Sequence, residues 1–252
     1  MADDVSHFSM VGYDLDVANE AAFAQSISEI VDQCEIVQAD AAYELCLIDE
    51  ETGGELWIGF SKTESGQLGL HTINPAFRGK GEMTVTFNGL VSDPQWEPFE
   101  YKISATFSEH EIPVLIELAD PRERSKLTED EAVTLDVTAF TYNPEIYKDD
   151  AAYVAAQTAD GSEAVYASNH FIPSGLFSEE PTAHSIFAGT IREAELRIGA
   201  DGAKYWWTLV ETLSGATINV VFDDVSSLEQ PTVGYLLVGE FWMTAHIVDK
   251  PK

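Results

Sequence analysis

The first part of the chain combines one helical stripe with several short apolar runs. Residues 7–15 form an apolar run that predicts a strand. Between about residues 17 and 34, apolar side chains recur at three- and four-residue steps, which predicts an amphipathic helix. Asp14 and Asp16 precede this stripe, and their carboxylates can cap the first turn by accepting from its free N–H groups.

Apolar runs separated by turn-prone residues follow this helix and predict a mostly antiparallel sheet. They cover residues 43–48, 55–60, 68–73, 83–87, 101–107 and 114–118. Gly53 and Gly54 lie between the first two runs, so these two are expected to form a hairpin. The prediction for residues 1–120 is therefore an acidic α+β domain, an antiparallel sheet with one or two helices.

The middle of the chain is interpreted as a connecting segment over residues 121–184. It begins within the highly charged stretch 119–133 and ends in a stretch, 173–184, that holds two prolines and a glycine. Between these breaks the pattern predicts strands at 133–140 and 163–171 and a helix near 145–158. No internal repeat is visible in the sequence.

Residues 185–252 are almost entirely strand-like. The runs cover residues 185–198, 205–213, 217–222, 233–238 and 240–248. Gly189 lies inside the long first run, and the longest link separates the third run from the fourth. This arrangement resembles the OB-fold, and the resemblance implies a C-terminal five-stranded OB-like β-barrel.

The charge of the chain limits its partners. The sequence has 44 acidic and 13 basic residues, a net charge of -31, and residues 1–184 hold 35 of the acids but only 8 of the bases. Nucleic acids and anionic membrane surfaces require cations opposite their phosphates, so neither is an expected partner.

The expected location is the cytoplasm. No apolar run is long enough to span a bilayer, and the acidic N-terminus does not resemble a signal peptide. Cys34 and Cys46 fit no metal-binding spacing, so they are expected to be two free thiols in a reducing compartment, with a single bridge as the alternative.

No catalytic residue is assigned, because the chain lacks the phosphate-binding glycine motifs and the nucleophile elbow. A general acid requires a carboxyl group in an apolar environment. Glu55, Glu117, Glu211 and Glu240 each lie within an apolar strand and are the better candidates, although an acid in a half-buried strand commonly points to solvent.

Residues 7–60 resemble one module of the vicinal oxygen chelate family, the glyoxalase-like proteins. The resemblance implies a strand-one histidine and a later-strand glutamate that bind a divalent metal, which would be His7 and Glu55. A complete site needs a second module with two more ligands, and the sequence offers none. The simpler interpretation is an edge histidine and a solvated glutamate, so no cofactor is expected.

The last strand offers the best candidate binding face. Period-two alternation sends Phe241, Met243, Ala245 and Ile247 to the core, and Glu240, Trp242, Thr244 and His246 outward. Trp206 is expected to add to this outward patch. OB-folds stack bases on such aromatic faces, but few cations accompany this one. The alternative is that residues 1–184 pack over the face and bury its tryptophans.

Four segments together resemble a family of bacterial proteins that carries no assigned activity. They are ELWIGF (55–60), GLHTINPAFRG (69–79), SNHFIPSGLF (168–177) and VGEFW (238–242). The resemblance covers nearly the whole chain and implies a bacterial cytoplasmic protein that forms one evolutionary unit.

The function favoured by the sequence is a non-enzymatic, acidic protein-binding module of the inhibitor or immunity type. Its concentrated negative field would speed encounter with a basic protein partner. The alternatives are a glyoxalase-like metal-dependent enzyme or small-ligand binder, and an OB-type ligand-binding protein without a catalytic role.

Overall fold

The computed structural model describes residues 7–13, 15, 19–107, 111–141, 143–159, 165–200, 202–225, 227 and 229–248. Over these residues the chain is mostly β, with two sheets and few helices, which is consistent with the predicted α+β class. The helices are α1 (Glu20–Val31) and α2 (Asp150–Thr158). The strands are β1 (Glu35–Ala39), β2 (Tyr43–Asp49), β3 (Gly54–Lys62), β4 (Leu68–Phe77), β5 (Met83–Val91), β6 (Lys102–Phe107), β7 (Ile112–Leu118), β8 (Ala132–Phe140), β9 (Glu145–Tyr147), β10 (His170–Ile172), β11 (His184–Ile198), β12 (Lys204–Glu211), β13 (Thr217–Asp223) and β14 (Leu236–Ile247).

The first sheet contains β1 to β4, antiparallel and in chain order. The predicted hairpin is β2–β3, and its turn bends at Gly53, which has φ 94°. In β3, Leu56 and Ile58 pack into one apolar cluster and Trp57 into another. Because both faces of β3 are covered, its sequence is a continuous apolar run rather than an alternating one.

Both helices begin at a side-chain cap. Ala22 N–H donates to Asn19 Oδ1 (3.2 Å) at the start of α1, and Ala152 N–H donates to Asp149 Oδ1 (2.8 Å) at the start of α2. These caps satisfy N–H groups that have no partner within the helix. The predicted caps of the first helix, Asp14 and Asp16, lie outside the described residues.

The prediction of a strand over residues 7–15 is wrong. The chain forms a short 3-10 turn at Ser9–Val11, and Gly12 follows in a left-handed conformation with φ 95°. Met10 and Val11 are neighbours and both are buried. A strand would send neighbouring side chains to opposite faces, whereas the turn lets both enter one apolar cluster.

The second sheet has ten strands, and its pairings form two circuits that share β8 and β14. One circuit runs β11–β12–β13–β8–β14 and returns to β11. The other runs β5–β6–β7–β14–β8 and returns to β5. In each circuit one pair is parallel: β13 with β8, and β7 with β14.

The C-terminal residues contribute four strands to this arrangement, not the predicted five. The runs predicted at 233–238 and 240–248 form the single strand β14, which continues through Gly239. The fifth strand of the circuit is β8, from the segment interpreted as a connection. The ten-stranded sheet thus takes strands from all three predicted segments, 1–120, 121–184 and 185–252.

The strand register contains a structural repeat that is not visible in the sequence. Met83 pairs with Leu135, and 104 residues later Phe187 pairs with Gly239. A register shift follows Phe87 in one half, and one follows Ile191 in the other. The two halves share strand register and the apolar character of the residues in the largest cluster, but their residues are not identical. The repeat therefore cannot be detected from the sequence.

The largest apolar cluster fills the inward faces of both circuits. As predicted from alternation, Phe241, Met243, Ala245 and Ile247 all belong to it. Cys34 and Cys46 are both free thiols. Among the described residues, no helix has the length and apolar character needed to cross a bilayer.

Candidate functional site

A cavity of about 310 Å³ is lined by residues of both sheets. One side comes from β4 at residues 74–76 and from residues 91–102. The other comes from the end of β7, from residues 179–181, and from Trp242 and Thr244 of β14. The cavity thus opens on the face of β14 opposite to its core residues.

Thr244 is the most unusual polar group of this cavity. Its side chain is 3% exposed, and its Oγ1 atom has no hydrogen-bond partner. A hydroxyl buried without a partner costs about 1–3 kcal/mol relative to one that is bonded. The cavity wall therefore carries an unused donor and acceptor.

Glu117 lies beside Thr244, because the two residues are partners in the parallel β7–β14 pairing. Burial raises the pKa of Glu117 to about 7, opposed by a hydrogen bond from the Trp242 side chain and by the charge of Lys102. Glu100 raises this pKa further. Lys102 pairs with Glu117 across the β6–β7 ladder. This carboxyl group exchanges its proton near neutral pH.

Aromatic side chains supply most of the apolar lining. They are Trp96, Phe99, Tyr101 and Trp242. Phe99 is buried, whereas Trp96 is 39% exposed, so the aromatic wall extends from the interior to the surface. Aromatic walls with a few polar groups are typical of small-molecule sites.

The residues of the predicted binding face differ in burial and do not form one surface. Glu240 is exposed, Trp242 is partly buried, and Thr244 and His246 are buried. Trp206 does not join them, because it packs against the inward cluster. Its neighbour Trp207 instead packs in the same cluster as Trp242.

His246 belongs to a buried ionic network instead of the cavity. Its Nε2 atom lies 2.9 Å from Glu55 Oε2, and Glu55 Oε1 accepts from Arg78 Nε at 3.0 Å. The Nδ1 atom lies 2.9 Å from Arg78 Nη2 and 3.7 Å from Glu123 Oε2. A neutral ring accepts from Arg78 at Nδ1, whereas a protonated ring donates towards Glu123.

The two glutamates decide the charge of this ring. Burial lowers the pKa of His246, but hydrogen bonds with Glu123 and Glu55 outweigh it and raise the pKa to about 9. Burial raises the pKa of Glu55, but its bond to His246 outweighs that effect, and the pKa falls to about 2. The network joins β3 of the first sheet to β14 of the second.

His7 and Glu55, the candidate metal pair, lie in different surroundings. The ring of His7 packs against Trp242 and Phe140, with centroids 5.0 and 5.7 Å apart. Burial and the nearby His184 lower the pKa of His7 to about 4. Within the described ranges, no group of three or more His, Cys, Asp or Glu side chains is arranged to hold a metal ion.

The repeat places a second surface at the position equivalent to the cavity wall. The polar triplet of the cavity is Lys102, Glu117 and Thr244, joined by strand pairing. The equivalent apolar triplet is Trp207, Val221 and Phe140. The apolar triplet is buried in the cluster that contains Met10 and Val11. One surface is thus covered by a segment of this chain, and its polar counterpart borders an open cavity.

Sequence reasoning identified only part of this site. Alternation identified Trp242 and Thr244, and an acid within an apolar run identified Glu117. Lys102 and Phe99 were missed, since nothing in their local pattern distinguishes them from other strand or loop residues.

Comparison with solved structures finds remote structural likeness to known proteins. The sequence matches no protein-family model and no curated protein. A solved structure of the cytoplasmic molybdate-binding protein ModG, with molybdate bound, is similar at 10% identity and a TM-score of 0.30. The similarity covers 63% of this chain and 88% of that one.

Proposed function

We propose that this chain is a small-ligand-binding protein whose ligand occupies the cavity beside Trp242 and Thr244. The two strand circuits are proposed to close into OB-like barrels that share β8 and β14. In each circuit the antiparallel pairs and the single parallel pair follow the order expected for that fold. The shared strands hold the cavity wall in a fixed position.

The observation that carries this proposal is the unpartnered hydroxyl of Thr244. Buried polar groups in folded proteins almost always have a partner, so an exception calls for an explanation. A ligand that bonds to Oγ1 supplies the missing partner. The cavity volume of about 310 Å³ lies at the lower end of the range of small-molecule sites.

The contrast between the two triplets supports the same proposal. At the apolar triplet, the chain covers its own surface with Met10 and Val11. At the polar triplet, the equivalent surface lines a cavity and carries Lys102 and Glu117. Charged groups placed in a cavity orient a polar ligand, whereas charged groups in a packed core require partners that offset their desolvation.

A fragment screen tests this proposal. The purified protein is screened against small aromatic and aliphatic fragments by ligand-observed NMR, and each hit is repeated with Thr244→Val and Thr208→Val. Thr208 is a matched control, because its hydroxyl is also buried but donates to Val220 O at 3.3 Å outside the cavity.

The expected result is a set of fragments that bind the wild type and Thr208→Val but bind Thr244→Val at least about fivefold more weakly, the loss expected for one hydrogen bond. Fragments that bind all three proteins equally, or a screen with no hits, would contradict the proposal.

A further inference from the structure

We infer that the ligand of this cavity is a small organic cation, an ammonium group carried by an apolar or aromatic body. This inference rests on the proposed function, since it names the chemical class that the same cavity would take. It follows from the charges around the cavity, from its aromatic wall, and from the buried Thr244 hydroxyl, which has no hydrogen-bond partner.

Acidic groups dominate the charged lining. Five carboxyl groups and one ammonium group line the cavity: Asp93, Glu100, Glu117, Glu179, Glu180 and Lys102. One of the acids, Glu100, accepts a hydrogen bond from Asn74 Nδ2 at 3.2 Å. A bound anion would face several carboxylates with one cation in compensation, whereas a bound cation would be attracted by the majority.

The aromatic lining favours the same class of ligand. The faces of tryptophan and phenylalanine rings attract cations through their quadrupole. Trp96, Phe99 and Trp242 all line the cavity. The chain already uses such contacts elsewhere, since the Arg197 guanidinium lies 4.3 Å from the ring centroid of Trp207. The cavity therefore offers rings to the apolar body of the ligand and to its charge.

Thr244 and Glu117 provide the polar end of the site. The Thr244 hydroxyl can accept a hydrogen bond from an ammonium N–H, because its oxygen has no partner and carries two acceptor lone pairs. Glu117 lies on the paired strand and can supply the countercharge. A cation beside this carboxyl group favours its ionised form, so binding and loss of the Glu117 proton are linked.

The charge of the whole molecule acts in the same direction. A net charge of -31 raises the local concentration of cations and lowers that of anions. A neutral molecule gains nothing from this field. The net charge of the protein therefore favours cationic ligands over neutral ones and neutral ligands over anionic ones, independently of how well each fits the cavity.

The experiment uses three probes that share one aromatic ring and differ mainly in charge: phenethylamine, 2-phenylethanol and phenylacetate. Their dissociation constants are measured by NMR titration against the full chain at about pH 6 and about pH 8, on either side of the Glu117 pKa of about 7. Glu117→Gln removes the countercharge, and Glu229→Gln removes the same charge from an exposed position outside the cavity.

The expected result is that phenethylamine binds at least about tenfold more tightly than 2-phenylethanol at about pH 8, and that phenylacetate does not bind. The affinity for phenethylamine should rise by up to about tenfold from pH 6 to pH 8, since the ionised fraction of Glu117 rises by that factor. Besides Glu117, the charged groups that face it are Lys102 and Glu100. Glu117→Gln should abolish the pH dependence and weaken the preference for phenethylamine over 2-phenylethanol, and Glu229→Gln should retain both.

Equal or tighter binding of the alcohol or the carboxylate would overturn the cation inference and leave the small-ligand function in place. Failure of all three probes would also overturn the inference. The proposed function is tested separately by the fragment screen, and it fails if that screen finds no fragment whose binding is weakened by Thr244→Val.

Discussion

Thr244 and Thr208 are both buried threonines in two strands of one sheet, but only one of their hydroxyl groups has a partner. Thr208 Oγ1 donates to Val220 O, whereas Thr244 Oγ1 is buried without a hydrogen-bond partner. The same chemical change at these two positions should therefore have opposite effects on stability. This contrast distinguishes a threonine that stabilises the fold from one proposed to bind a ligand.

Replacing each threonine by valine, which has nearly the same shape, tests this contrast without ligand. Thr208→Val should lower the free energy of unfolding by about 1–2 kcal/mol, because Val220 O loses its donor. Thr244→Val should leave it unchanged or raise it by about 1 kcal/mol, because a desolvated hydroxyl is removed. Urea denaturation of both variants gives the two values, and a loss at Thr244 as large as at Thr208 would contradict this account.

The pH dependence of stability should report the His246 network. The pKa of His246 rises from 6.5 to about 9 on folding, so its contribution is complete below pH 6.5 and is lost as the pH rises towards 9. The pKa of Glu55 falls from 4.5 to about 2, so its contribution is complete above pH 4.5 and is lost as the pH falls towards 2. Stability from this pair should be greatest between these limits.

His246→Gln should reduce the loss of stability between about pH 6.5 and about pH 9 relative to the wild type. His71→Gln serves as the control, because His71 is an exposed histidine of β4. The measurement is the urea midpoint of each protein across this range. An unchanged pH slope in His246→Gln would show that the ring does not gain its proton on folding.

At the scale of elements, the contact between the 3-10 segment and the β11–β12 turn depends on two glycines. A Cβ atom on Gly199 would lie 2.1 Å from Gly12 O and 2.4 Å from Gly12 Cα. Two backbone segments therefore cross at a distance that no side chain permits. The crossing holds Met10 and Val11 over the apolar triplet.

Gly199→Ala should lower the free energy of unfolding by about 1–3 kcal/mol and expose residues 7–13 to proteases. Gly69→Ala is the control, because nothing lies within 4 Å of a Cβ atom at that position. Urea denaturation and limited proteolysis followed by mass spectrometry check both variants. Equal resistance of the two variants would mean that this crossing does not hold the segment.

Local sequence patterns predicted the helices and strands better than they predicted which strands pair with each other. The β2–β3 hairpin could be predicted because turn residues act over a few residues, and helical spacing predicted α2 but extended it over residues 145–147, which form β9. The role of β8 could not, because its partners β5, β13 and β14 are set by long-range pairing. The cavity could be predicted only in part for the same reason. The pattern within β14 identifies Thr244, but long-range packing places Phe99 in the same cavity.

At the scale of the whole molecule, the excess of acids still predicts a basic protein partner. Capture of native lysate on the immobilised protein should retain basic proteins at about 20 mM NaCl and release them at about 500 mM, because salt shortens the range of the field. An acidic protein of matched net charge, immobilised at the same density, controls for simple ion exchange. Identical capture by both proteins, or capture that ignores salt, would contradict this prediction.

The exchange of strands between the two circuits has a consequence for the synthesis of the chain. β7 is translated early, but its parallel partner is the Thr244–Ala245 part of β14. During synthesis, the circuit that contains β5, β6 and β7 therefore cannot close until more than a hundred further residues have been translated. Until then β7 has an open strand edge. An open edge invites pairing with other nascent chains, so a chaperone that shields β7 during this interval should raise the yield of native protein.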